Sequence, residues 1–177
     1  MSSRVHSVKL LTLVAVMGAL GNALGFLSIP LAPGVMLNLA HLPALLLAVA
    51  LGAKVGAVTG FLTSFTSLYL VYFVSGYLTG LFIPIGGAIL GGVTGLASRK
   101  FRPLISCIIG EIAEQPYMFL VCYTIFILVA KLLPHVAISI TLTIMAKAWV
   151  DVIVSAIIVE ILISRGLGKW IKDMILG

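Results

Sequence analysis

The sequence predicts an all-α integral membrane protein of six transmembrane helices with both termini cytoplasmic. Three observations carry that expectation. The 177 residues are 62% hydrophobic and 9% charged, with mean hydropathy +1.27, whereas a soluble domain carries about 25% charged residues. The apolar residues gather into six runs near the length of roughly 20 that crosses a bilayer. The basic residues sit in alternate connections, which is the cytoplasmic bias of Lys and Arg. Six spans consume about 120 positions, so residues 1–177 are expected to form one six-helix membrane domain with no soluble catalytic or nucleotide-binding unit. The net charge of +6 is dispersed between apolar runs rather than gathered on a solvated face, so the expected surroundings are a lipid bilayer and not nucleic acid.

The spans read Val8 to Ile29, Val35 to Leu51, Val55 to Val74, Leu78 to Ala97, Ile105 to Ala130 and Val136 to Ile163. With this division Arg4, Lys9, Lys54, Arg99, Lys100, Arg102, Arg165, Lys169 and Lys172 all fall on one side, and only Lys131 on the other. The first run follows a basic start, and a signal peptide cleaved near Ala19 or Ala23 is the competing reading; the run continues past either site to Ile29, which favours a retained helix.

Small residues recur at four-residue steps: Ala15, Ala19 and Ala23 in the first span, Gly52, Gly56 and Gly60 entering the third, Gly87, Gly91 and Gly95 in the fourth. Such stripes let helix backbones approach closely in lipid, where no hydrophobic force drives helices together. They serve packing within the chain or contact with another protein. Cys107 and Cys122 lie inside apolar runs without metal-ligand spacing and read as small buried apolar residues.

Ionisable groups inside a span are costly and mark candidate sites. Glu111 and Glu114, three apart, share a face of the fifth span, and Lys147 and Asp151, four apart, share a face of the sixth. The second pair also reads as a plain ion pair within one helix. Glu111 lies toward the cytoplasmic half, where Arg102 is a candidate partner. Pro116 follows Glu114 and removes a backbone donor, so a kink there would set Tyr117 beside freed backbone groups. The connection from Pro30 to Gly34 is uncharged and stiffened by Pro30 and Pro33, and Asn38 and His41 follow it at three-residue spacing. Tyr69, Tyr72 and Tyr77 cluster at the next outer connection, either as an interfacial belt or as a ligand wall. Motifs for metalloprotease, serine-hydrolase and phosphate-loop chemistry are absent from the sequence, so the chain is not expected to be an enzyme.

The stretch Asn38-Leu39-Ala40-His41-Leu42-Pro43-Ala44, continued by Leu51-Gly52-Ala53-Lys54-Val55-Gly56-Ala57-Val58-Thr59-Gly60, resembles the substrate-binding S components of energy-coupling-factor (ECF) vitamin transporters. The likeness extends to size, six helices and the alanine stripe, and so to essentially the whole chain. The resemblance implies a subunit that binds a small water-soluble vitamin or precursor in the plasma membrane and itself carries no cofactor. It implies that Ala15, Ala19 and Ala23 dock on a transmembrane coupling subunit resting on two ATPases, which use the ATP. It implies further that the Pro30 to Met36 connection gates an outward pocket walled by helices four to six, and that the subunit topples to deliver its ligand. Asn38, His41, Tyr72, Tyr77, Glu114, Tyr117, Lys147 and Asp151 are the candidate ligand-binding residues. Many relatives place a Lys near the start of the last helix, whereas Lys147 lies near mid-span. The alternative class is a stand-alone ion- or proton-coupled transporter using Glu111, Glu114, Lys147 and Asp151 as its path; a ligand-free assembly subunit is a third.

Overall fold

The computed structural model describes residues 2–27, 29–32, 35–74 and 76–176. Helix α1 (Ser2–Phe26) leads into an antiparallel hairpin, β1 (Ile29–Ala32) with β2 (Val35–Leu37), in which Ile29 is opposite Leu37 and Pro30 opposite Met36. Then come α2 (Leu42–Leu51), α3 (Ala53–Thr63), a short α4 (Phe65–Leu68) running into a π-helical turn (Tyr69–Val74), and a 3₁₀ turn (Leu78–Phe82) that opens α5 (Ile83–Ala97). The long helices α6 (Pro103–Leu128) and α7 (Pro134–Ser164) and the short α8 (Leu167–Leu176) complete the chain.

Five helical stretches are long and apolar enough to cross a membrane: His6–Phe26, Ala53–Val74, Leu78–Ala97, Pro103–Leu128 and Pro134–Ser164. The expected second span, Val35 to Leu51, departs from this pattern. Its first residues are strand, and its helix has 10 residues, a rise of about 15 Å or half the hydrocarbon core. Hydropathy registers the whole run as apolar, but Asn38 diverts the chain: its Oδ1 accepts the Ala40 N–H at 2.8 Å, turning it before Pro43 opens the helix. Short α2 is nonetheless the centre of the fold, with Leu45, Leu47 and Ala48 wholly buried. Leu45 and Leu47 pack with Val14, Leu90, Val152 and Val159 from α1, α5 and α7.

Gly52, at φ +94° and ψ −174°, separates α2 from α3 in a conformation that only glycine adopts readily. Beyond it the two glycine stripes meet each other. A Cβ at Gly56 would strike the Gly91 carbonyl oxygen, and one at Gly60 the Gly87 carbonyl oxygen, so α3 and α5 cross in backbone contact. Helix α1 is tied in by Asn22, whose Nδ2 donates to the carbonyls of Gly18 and Leu62 (2.9 and 2.8 Å) and whose Oδ1 accepts the Thr66 N–H at 2.7 Å. That last bond satisfies a backbone donor freed where the helix breaks at Ser64 between α3 and α4.

Helix α6 runs unbroken through Pro116. Its first turn is capped from α7, with the Leu104 N–H donating to Glu160 Oε2 at 2.9 Å. Helix α8 turns Ile171 and Ile175 inward and leaves Lys169, Trp170 and Lys172 exposed, the division expected of a helix lying along a membrane surface. Lys9 donates to the Met174 carbonyl at 3.2 Å, which brings basic residues of α1 and α8 to one end of the bundle. Cys107 and Cys122 are buried free thiols.

Candidate functional site

The hairpin returns the chain against α7, and there the backbone N–H of Asn38 donates to Asp151 Oδ1 at 2.9 Å. Lys147 holds the other oxygen, with Nζ 2.6 Å from Oδ2. Asp151 thus has both oxygens engaged and is buried, while the Lys147 side chain is 42% exposed. Desolvating a carboxylate in an apolar interior costs several kcal/mol unless donors replace water; here a helical neighbour and a main-chain N–H from 113 residues away do so together. His41 lies within electrostatic reach of both members of the pair, and its Nδ1 is buried without a hydrogen-bond partner among the described residues. The structure therefore brings Asn38, His41, Lys147 and Asp151 together. Toward the Pro134 end of α7, Ser139 and Thr143 continue the four-residue steps of Lys147 and Asp151 and are exposed.

A second polar group occupies α6. Glu111, Glu114 and Gln115 are buried at helical spacing on its inner side. Gln115 Nε2 donates to Glu111 Oε1, so Glu111 is satisfied within its own helix rather than by Arg102, the partner considered from sequence. The Glu114 carboxylate enters the space that the missing side chain of Gly86 leaves on α5: a Cβ there would stand 2.5 Å from Oε1. Tyr117 is half-buried and donates its hydroxyl to the Phe82 carbonyl at 3.2 Å, bridging α6 to the turn before α5. Asp151 interacts electrostatically with Glu111, and Glu111 with Glu114, so the two polar groups adjoin. Gln115 went unmarked in the sequence because an amide inside an apolar run carries no charge to flag it.

A family model described as the substrate-specific component of ECF transporters matches residues 9–163. The chain belongs to this family. No curated protein matches it. The S component is thus a membrane-embedded, substrate-specific subunit of an ECF transporter, and the matched region runs from α1 to the last turn of α7.

Around the polar centre of the S component the remaining candidates are dispersed. Tyr72 is half-buried in the π-helical turn with its ring edge-on to Phe73, centroids 4.9 Å apart. Tyr77 is 53% exposed and sets its ring edge-on to Phe126 at 6.2 Å. Among the described residues, no hydrogen bond ties either tyrosine to Lys147, Asp151 or Glu114. Pro33 and Gly34 of the proposed gate lie outside the described residues. The hollows among the described residues include a cavity of about 330 Å³ between α2, α7 and α8, lined by Val49, Ile163, Lys169 and Lys172 among others, and a groove of about 360 Å³ along α3 and α5. Neither is lined by a candidate ligand-binding residue.

On α1 the S component separates its two small-residue stripes. Gly18, Gly21 and Gly25 face Leu62, Thr63 and Thr66. Ala15, Ala19 and Ala23 are exposed, together with Val8, Leu11, Val16 and Leu20. The alanine face is left uncovered by the other described residues.

Proposed function

We propose that this S component captures a small water-soluble vitamin or precursor from outside the plasma membrane and releases it inward after docking on an ECF coupling module. The observation that carries the capture step is the polar centre itself: Asp151, buried and held by Lys147 and the Asn38 backbone, adjoining the glutamates of α6 in an otherwise apolar bundle. Buried ionisable groups at such depth are retained at a cost that a ligand site explains. The hairpin between α1 and α2 is the outer cover of the site, and ligand contacts fall to Asn38, His41, Glu114, Tyr117 and Lys147, with Asp151 fixing Lys147. Tyr72 and Tyr77 complete the mouth as the outer loops close. Residues 1–177 act as one unit of six membrane segments, α2 with its hairpin being the short one, and both termini are cytoplasmic. The uncovered Ala15, Ala19 and Ala23 face docks on the coupling subunit. Two ATPases below that subunit use the ATP, and the S component topples against it to deliver the ligand, with no cofactor of its own.

Mass spectrometry of small molecules released by denaturing the detergent-purified chain, with an empty-membrane control, tests capture. A vitamin-sized compound at near-stoichiometric yield is expected. A clean blank, repeated after growth in a vitamin mixture, would contradict the capture step.

A further inference from the structure

Helix α8 carries its charges in an order that works against the helix itself. Lys169 lies in its first turn, at the positive end of the helix dipole, and Asp173 in its last, the reverse of what the dipole favours. Lys169 and Asp173 are four apart, yet among the described residues Asp173 pairs with neither Lys169 nor Lys172. Among those residues both ammonium groups stand without an ion pair or a hydrogen bond. The same two lysines line the cavity of about 330 Å³ between α2, α7 and α8, a volume at the small end of ligand sites, about 300–1,000 Å³. Its opposite wall is apolar, made by Val49 and Ala50 of α2 and Ile163 of α7. Two glycines border it. Gly166, at φ +90°, turns the chain out of α7, and Gly168 adds no side chain where a Cβ would stand 2.9 Å from Ile163 Cδ1. The cavity therefore opens at the end of span α7, where α8 lies across the bundle with Ile171 and Ile175 inward and Trp170 61% exposed, the placement of an interfacial anchor.

We infer that this cavity binds the headgroup of an anionic phospholipid, its phosphate held by Lys169 and Lys172 and its glycerol backbone lying against Val49, Ala50 and Ile163. The site is separate from capture of the transported compound, whose candidate residues line none of it. An anion at this position meets the two unpaired ammonium groups and the positive end of the α8 dipole together, which gives the adverse charge order a use. Asp173 also lines the cavity, so its charged groups amount to a single positive charge, suited to the single negative charge of a phosphodiester. Lys9 of α1, held at the Met174 carbonyl at 3.2 Å, adds positive field at the same end of the bundle. Two features select a lipid over a soluble phosphate compound. The apolar wall has no purpose for a small hydrated anion, and the cavity lies at headgroup depth, where basic pockets between spanning helices take anionic lipid headgroups.

The test is native mass spectrometry of the full-length chain in detergent, titrated in turn with phosphatidylglycerol, phosphatidylcholine, glycerol 1-phosphate and inorganic phosphate. The expected result is one phosphatidylglycerol held per chain, preferred over phosphatidylcholine by about tenfold or more, and no comparable binding of either soluble phosphate. Lys169→Gln with Lys172→Gln should weaken phosphatidylglycerol by about thirtyfold, from roughly fivefold for each lysine at a membrane surface. Arg99→Gln with Lys100→Gln, an equal loss of charge from exposed residues that do not line the cavity, should leave it unchanged. All four replaced side chains are exposed, so both variants are expected to keep the lipid-free thermal midpoint. Absence of bound lipid, equal affinity for the two lipids, no loss in the Lys169 and Lys172 variant, or an equal loss in both variants would each overturn the inference. Binding of glycerol 1-phosphate or inorganic phosphate as tight as that of the lipid would overturn it in favour of a soluble anion.

Discussion

Lys147 neutralises Asp151 while its side chain stays 42% exposed, and its ammonium has hydrogens beyond the one directed at Asp151. Lys147→Ala should therefore weaken binding of the released compound by about 1.5 to 3 kcal/mol, read by titration calorimetry in detergent. Unchanged affinity would make the lysine a purely structural partner of Asp151. The pairing was legible beforehand because residues four apart on a helix are neighbours whatever the rest of the fold does. The third member was not. Asn38 and Asp151 are 113 residues apart, and their contact exists only because a hairpin returns the chain into the bundle. Asn22 was passed over for a related reason. A single amide among alanines and glycines looks incidental until the break at Ser64 supplies the backbone N–H it satisfies, although Gly18, Gly21 and Gly25 beside it were signs of a close crossing.

Among the elements, α1 carries the sharpest division of labour, with glycines turned to the bundle and alanines turned away from it. Ala19→Trp should abolish co-purification with the coupling subunit while leaving ligand release intact, because the new bulk stands on the uncovered face and not in the core. Loss of ligand binding in this variant would mean that the face packs within the chain. The glycine stripes of α3 and α5 settled the other way, each serving as the other's partner, and spacing alone left both outcomes open. Most spans were readable from run length, since hydrophobic stretches of about 20 residues have few alternatives. The Val35 to Leu51 run was not. Its apolar character is real, but burial at the centre of the bundle selects apolar residues as lipid does, and the turn at Asn38 with Pro43 behind it divides the run into strand and short helix.

Across the whole molecule, the chain joins a central polar cluster to an uncovered small-residue face on α1, beside the apolar faces that the other spans also expose. That division fits a subunit that binds and a separate module that supplies energy. The family match over residues 9–163 establishes the class, while the ligand, the docking face and the toppling step are proposals. The most direct measurement is uptake of the released compound, radiolabelled, into proteoliposomes containing the chain alone or the chain with its coupling subunit and ATPases. Uptake that requires the complete assembly and ATP inside the ATPase-facing compartment is the expected result. Uptake by the chain alone, driven by a proton or ion gradient without ATP, would contradict it and make Glu111, Glu114, Lys147 and Asp151 an ion path instead.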